Sequence, residues 1–394
     1  APFYPQWGYT DDPFDLGYPK MRPETRAVHV AAEVDPETGA VAPPLHLSTT
    51  FEHPADSTLI DGYLYQRYAN PTQDRLERAL AALDGGSAAL AFASGMAAGS
   101  ALLQNLPPGG EVLMADDTYF AFRKLAERFF ARWGLTHRLV DMSSPDAVAE
   151  AIGPDTVCLW AETPSNPRLK VTSIAALAAL AKPRDLRLVV DATFATPALL
   201  NPIALGADVV LHSTTKYLGG HSDAMGGALV FAERGAWFDA ILETRKLQGG
   251  IASPFASWLI LRGIRTLAPR VRWQSESALK IATFLEGHER VSCVHYPGLP
   301  SHSGHAVAGR EMRDFGGMLS VEVAGDRAAA LRVASALKLF LNATSLGGYE
   351  SLVEHRESVE GKGSPTPANL LRLSVGLEHS DDLIDDLAQA LRQV

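Results

Sequence analysis

A chain of 394 residues, 46% of them hydrophobic, exceeds the size at which one core keeps growing, so it divides into a large domain and a smaller one and is not disordered. Its 35 Lys and Arg against 45 Asp and Glu leave a formal charge of -10, and no basic block could track a phosphate backbone, which excludes nucleic acid as a partner. Apolar runs are broken by charges, Gly or Pro before they reach a bilayer span, and the segment APFYPQWGYTDDPFDLGYPK has no charged-then-apolar signal pattern; a soluble, cytoplasmic protein without membrane contact is expected.

Residues 1–65 are rich in Pro, aromatic and turn residues and carry little helical period. They read as an arm lying over another surface, with a neighbouring subunit as the candidate. At Asn70-Pro71 a cap residue precedes a proline at a first helical position; RLERALAALD follows at helical spacing and Gly85-Gly86 stops it. Short apolar runs then alternate with helical segments: AALAFA and GMAAGSALLQNL, EVLMA and FRKLAERFFARW, VCLWAE and SIAALAALA, then LRLVVD and ADVVLHS. Such alternation predicts an α/β fold whose mostly parallel sheet is covered by helices on both faces, over residues 66–254. Ligands in such sheets sit beyond the carboxyl ends of the strands. Residues 255–394 turn to long helical stretches followed by strand-like GGMLSVEVAG and LLRLSVGLE, a smaller α+β domain. Cys158 and Cys293 lie far apart with no CxxC or Cys/His cluster, which predicts neither a disulfide nor a metal site, and Cys158 in TVCLWA reads as core packing.

The segment ADVVLHSTTKYLGGHSD puts Ser213, Thr215 and Lys216 directly after a strand and before a glycine pair. A lysine there can bond covalently to an aldehyde cofactor while the hydroxyls take its phosphate. A lone lysine after a strand is more often a surface charge. Upstream, Asp191 ends the apolar strand of LRLVVDATF, and a buried carboxylate needs a partner. A protonated pyridine nitrogen is one such partner; a helix cap or structural ion pair is another.

The ordered set YQRYANPT, FASGMAA, ETPSNP, VVDATF, HSTTKYLGGHSD, SLGGYESL and LLRLSVGLE resembles the fold-type I pyridoxal-phosphate enzymes of cysteine and methionine metabolism. The resemblance runs from about Thr25 to the C-terminus. It implies pyridoxal 5'-phosphate on Lys216 with Asp191 tuning its ring, and Gly95 and Met96 at a helix start, with Ser213 and Thr215, binding the phosphate. Tyr65 and Arg67 are similar to the pair that reaches the phosphate from a neighbouring subunit, so that each site needs two chains, with Tyr65 also near the substrate. Tyr119 matches the tyrosine that stacks on the ring and takes a proton from the incoming amine. Asn166 is placed near the phenolic oxygen or the substrate carboxylate, Arg372 as the clamp for the α-carboxylate, and Ser345 beside lysine and carboxylate. A homotetramer is implied.

The chemistry so implied is β/γ-elimination or γ-replacement on sulfur amino acids or O-acylhomoserine. Cystathionine γ-lyase or γ-synthase ranks ahead of methionine γ-lyase or cystathionine β-lyase, and an aminotransferase or a non-catalytic cofactor binder stands further off. Three departures bear on substrate choice. Phe120, Ala121 and Phe122 follow Tyr119 where small residues are usual, which alters the pocket wall. Thr344 stands where cystathionine γ-synthases and γ-lyases carry Glu. The segment EHRESVEGKGSPTPANLLRLSVG lacks a Met-Thr-His stretch. Glu354 and His355 are read as surface residues near the entrance.

Overall fold

The computed structural model describes residues 21–60, 62–361 and 364–394. Seven strands form the larger sheet: β1 (Ala88–Phe92), β2 (Glu111–Ala115), β3 (Thr136–Val140), β4 (Thr156–Glu162), β5 (Arg187–Asp191), β6 (Val209–His212) and β7 (Gly227–Phe231). Their order is β1-β7-β6-β5-β4-β2-β3; β6, β5, β4, β2 and β3 run parallel, and β7 runs antiparallel between β1 and β6. The sheet is mostly parallel, as expected. β3 and β7 go beyond the predicted strands: the THRLV pattern of β3 is largely polar at an exposed edge, whereas GALVF of β7 is a buried apolar run like those of its neighbours.

Apolar cores cover both faces. Leu159, Val190 and Val210 pack on one side with Leu76, Leu80 and Leu177; Cys158, Trp160, Val189 and Leu211 pack on the other with Leu102, Phe122 and Phe130. Burial on both faces is why these strands read as continuous apolar runs. The helix Pro71–Asp84 starts where the sequence predicted: Asn70 accepts from the Thr72 N–H at 2.9 Å, and the chain leaves at Gly85 with φ 71°. Truncating a core residue such as Leu80 would cost about 2–5 kcal/mol.

The second sheet contains β8 (Val291–His295), β9 (Met318–Val323), β10 (Leu341–Asn342), β11 (Leu352–His355) and β12 (Leu370–Ser374), in the order β10-β11-β12-β9-β8. Only β10 and β11 pair in parallel. The two cores meet along one helix, Leu267–Glu286: Leu267 and Val271 pack with the large sheet, and Ala278, Ile281 and Leu285 with the small one. The helix Pro254–Ile264 also contributes Ile260 and Ile264 to the large core, so the packing changes one helix later than the composition does at 254.

Of the N-terminal segment, the helix Pro23–His29 buries Ala27 against its own chain, and Glu33 pairs with Arg75 and Arg78, each at 2.7 Å. Residues 1–20 lie outside the described residues. Among the described residues no helix is long and apolar enough to cross a membrane.

Candidate active site

Parallel strands end together at one rim, and the chemistry-bearing residues stand there. Glu162 ends β4, Asp191 ends β5 directly opposite it, and His212 ends β6. After His212 the chain turns tightly: Lys216 N–H donates to Ser213 O at 3.1 Å and Gly220 N–H to Lys216 O at 2.7 Å. The turn aims Lys216 inward, and its Nζ donates to Ser345 Oγ at 2.8 Å. Burial, aided by the Arg372 guanidinium, lowers this amine to about 8, against the opposing pull of Glu354. Ser345 is held at φ 83°, a conformation that a residue with a Cβ rarely adopts and that marks strain stored at a working position.

Asp191 is buried, and its Oδ1 accepts from the Thr193 N–H at 3.0 Å. Burial raises its carboxyl. Among the described residues no cation pairs with it directly: its nearest positive neighbour is His212, whose Nε2 is taken by Asp84 Oδ2 at 2.8 Å. Glu162 is pushed well above the usual carboxyl range, first by burial and then by Asp191. Its Oε2 accepts from Thr118 Oγ1 at 2.9 Å and from the Tyr119 N–H at 2.6 Å.

On β12, Arg372 is 4% exposed. Nη1 donates to Asn166 Oδ1 at 3.1 Å and Nη2 to the Ser345 carbonyl at 2.9 Å, while Glu354 Oε2 lies 2.8 Å from Nη2. The same Glu354 oxygen also takes Arg356 Nη1. Arg356 reaches Glu360 at 3.1 Å, and Glu360 reaches Arg123 at 3.3 Å. Five buried groups thus alternate in sign, three cations and two carboxylates. The chain of charges is one positive charge in excess until a carboxylate joins Arg372. Buried charges persist only when paired in this way.

Tyr119 precedes the helix Phe120–Trp133, its ring meeting Phe120 edge-on with centroids 5.0 Å apart. Burial raises its phenol, opposed first by Arg356 and then by Arg372. The helix Gly95–Leu103 begins beside the lysine turn: a Cβ on Gly95 would lie 3.2 Å from Ser213 Cβ, and one on Gly227 would fall 2.2 Å from Ser94 O. Glycine at 227 lets β7 close on this helix start, where the Ala97 N–H donates to Ser94 Oγ. Thr215 Oγ1 exchanges hydrogen bonds with the Gly226 backbone at 3.0 and 3.1 Å, fixing its hydroxyl on the rim.

Residues 24–392 match the family described as Cys/Met metabolism PLP-dependent enzyme. A cystathionine gamma-synthase from Mycobacterium tuberculosis (strain H37Rv) is 46% identical over 378 residues, covering 94% of this chain and 96% of that one. The chain belongs to the Cys/Met metabolism family of pyridoxal-phosphate-dependent enzymes. A cystathionine beta-lyase from Coxiella burnetii is 41% identical over 381 residues, 94% of this chain and 98% of that one. The crystal structure of metB from Corynebacterium glutamicum superposes with a TM-score of 0.92 at 41% identity, covering 95% of this chain and 98% of that one.

Within this member of the family, the structure brings Lys216, Ser345, Arg372 and Asn166 into direct contact and sets Asp191, Tyr119, Gly95, Ser213 and Thr215 around the same rim. Met96 follows Gly95 in the first turn of that helix. Tyr65 and Arg67 stand elsewhere: Arg67 Nη1 donates to Lys246 O at 2.9 Å, its guanidinium covers the Tyr68 ring, and Tyr65 is 40% exposed.

One expectation is corrected and one narrowed. Glu354 and His355 are not at the surface but are 3% and 4% exposed, Glu354 as counter-ion to Arg372 and His355 bonded to Ser358 Oγ and Ala368 O. Phe122 is buried against Trp160 and the Gly99 backbone and meets the Tyr119 ring edge-on with centroids 6.3 Å apart, whereas Phe120 reaches both Tyr119 and Arg356. Glu162, Arg356, Glu360 and Arg123 were not singled out in the sequence. Only Glu162 had a readable sign there, an acid ending the apolar run VCLWAE as Asp191 ends LRLVVD.

Proposed function

We propose that this protein catalyses γ-replacement on an O-acylhomoserine, with cysteine as the incoming thiol, in the manner of a cystathionine γ-synthase. Cystathionine γ-lyase activity at the same centre is the second reading, because elimination and replacement draw on the same residues. The observation that carries the proposal is the convergence of Lys216, Ser345, Arg372 and Asn166 near a buried Asp191 with which no cation pairs directly among the described residues.

Pyridoxal 5'-phosphate fits this set. Asp191 lacks a direct cationic partner and a protonated ring nitrogen supplies one. The N–H groups of Gly95 and Met96, with the Ser213 hydroxyl, suit a phosphate, and Tyr119 would lie against the ring; the Thr215 hydroxyl donates to Gly226 O and would have to turn from it to join them. When bound, the cofactor supplies an aldehyde for amines and a ring that accepts the electrons released when a bond at Cα breaks.

The protein's own part is positioning and proton transfer. Arg372, held by Asn166 and the Ser345 carbonyl, takes the substrate α-carboxylate. Lys216 carries protons between Cα and Cβ, and an amine lowered to about 8 has a neutral fraction at neutral pH. Ser345 Oγ accepts from that amine and holds it in place. Tyr119 is assigned the proton of the arriving amine by the family likeness; burial raises its phenol, and Arg356 and Arg372 are the groups that oppose that rise. Thr344 is exposed and brings no carboxylate to hold a distal ammonium; Glu is expected there in γ-synthases and γ-lyases alike, so this position does not separate the two readings. A second chain completes the phosphate site with Tyr65 and Arg67; exposed Tyr65 at 40% and Leu247 at 72% mark apolar surface for that contact, and a homotetramer of two such dimers is the assembly.

Borohydride reduction followed by peptide mass analysis tests the centre: a pyridoxyl group on Lys216 is expected, and a tag elsewhere refutes the assignment. O-succinylhomoserine or O-acetylhomoserine with cysteine should yield cystathionine. Release of ammonia and a 2-oxo acid from cystathionine, without γ-replacement, would favour the lyase reading.

A further inference from the structure

Away from the active site, the edge of the small sheet carries a cluster of a different chemistry. β8 and β9 run antiparallel with Cys293 opposite Glu322 and His295 opposite Ser320. Residues 293 and 295 leave β8 on one face, and Glu322 stands on that face of β9 because directly opposed residues share a side. The other face of β9 bears Leu319, Val321 and Val323 and is the domain core. His295 Nε2 and Glu322 Oε1 lie 2.8 Å apart, and the donor atoms of Cys293, His295 and Glu322 all fall within 4.8 Å of one another.

We propose that Cys293, His295 and Glu322 bind a thiophilic divalent cation of the zinc class, one per chain, with water as the fourth ligand. Thiolate, imidazole and carboxylate are the three donors such an ion prefers, and three protein ligands plus water complete a tetrahedron. Calcium and magnesium are disfavoured, since they require six or more mostly oxygen ligands. The charges balance: the ion's two positive charges meet one thiolate and one carboxylate, while imidazole stays neutral. Binding displaces the thiol proton to solvent and exchanges the His295–Glu322 hydrogen bond for two metal bonds, with no change of oxidation state.

Access and competition also favour the site. Cys293 is exposed on the edge strand, whereas the other cysteine, Cys158, is fully buried between the large sheet and its helices. His302 is not among the grouped donor atoms, and its Nδ1 accepts from the Gly304 N–H at 3.0 Å. The sequence showed only Cys-x-His; strand pairing adds Glu322, 27 residues from His295, and turns a pair into a ligand set.

Untagged holoenzyme, treated with chelator and dialysed, is titrated with zinc against a chromophoric competitor. One zinc per chain is expected, with no change in the cofactor's visible absorbance. Losing an outer-shell partner costs a metal site about 10–100-fold in affinity, so Cys293→Ser, which removes a ligand itself, should weaken binding by at least about 100-fold. His295→Ala should do likewise. Cadmium in place of zinc should give a sulfur-to-metal ultraviolet band that Cys293→Ser abolishes while its circular dichroism matches the parent. Absence of saturable zinc binding, equal affinity in Cys293→Ser, or a zinc absorption spectrum without a sulfur shell would overturn the site.

Discussion

Arg356→Gln tests the charge relay beneath the carboxylate clamp. In the native chain Glu354 Oε2 serves Arg372 and Arg356 together, and Glu354 Oε1 has no partner among the described residues. Arg372 therefore has only part of a counter-ion and keeps attraction to spare for a substrate carboxylate. At an effective dielectric of about 20, a unit pair at 4 Å is worth about 4 kcal/mol. If sharing halves Glu354's hold on Arg372, removing Arg356 returns about 2 kcal/mol to that pair at the substrate's expense, or about thirtyfold in affinity. KM for the amino-acid substrate should rise by that order.

The same substitution has a second readout that a purely structural defect would not give. Arg356 lowers both Tyr119 and Lys216, so its loss raises both groups and moves the acid limb of the kcat–pH profile to higher pH. Arg356→Lys, which restores the charge without the fork, should recover the pH profile more fully than KM. Steady-state kinetics from pH 6 to 10, with thermal denaturation as a control, measure all three. An unchanged KM and an unmoved acid limb in a stably folded Arg356→Gln protein would refute the sharing of Glu354.

In cofactor-free protein, folding lowers Lys216 from 10.5 to about 8, so the unfolded chain holds more protons between those values and stability rises with pH across that window. Relative to Lys216→Met, the rise should approach about 3 kcal/mol, measured by urea denaturation at pH 8 and 10.5; parallel curves for the two proteins would contradict it. Glu162→Gln keeps an acceptor for Thr118 and Tyr119 and should stay within about 1 kcal/mol of the parent, whereas Glu162→Ala strands two buried donors at about 1–3 kcal/mol each; equal losses in thermal melts would show that Glu162 works as a charge. Arg67→Ala and Tyr119→Phe should each depress turnover, and mixed oligomers of the two should regain activity if Arg67 completes the neighbouring chain's site; no regain after verified subunit exchange would place Arg67 outside it.

Much of the fold was legible because burial on both faces leaves a plain mark. β1, β2, β4, β5 and β6 are short apolar runs ended by polar residues, and each stands where the alternation put it. β7 escaped notice because nothing in GALVF reports its reversed direction, and the break at 254 misled because Pro254–Ile264, though long and apolar, serves the first core. Lys216, Asp191 and Arg372 were readable for a related reason: each is a charged residue in or just after an apolar strand, where an unpaired charge is too costly to persist without a purpose.

The charge relay was not readable, and the cause is physical. In EHRESVE a high density of charge reads as solvated surface, since Glu and Arg are seldom buried. Their burial here depends on partners brought from elsewhere: Arg372 lies 18 positions from Glu354, and Arg123 lies 237 positions from Glu360. A cation deep in an apolar strand shows its cost within a few residues, but a buried carboxylate whose cost is offset by distant guanidiniums shows none. Sequence thus exposes the groups that face the reacting atoms and hides those that set their charge. Thr344, Phe120 and Arg356 are therefore the positions to vary, and the Arg356→Gln kinetics above test whether the groups that sequence hides bear on substrate binding.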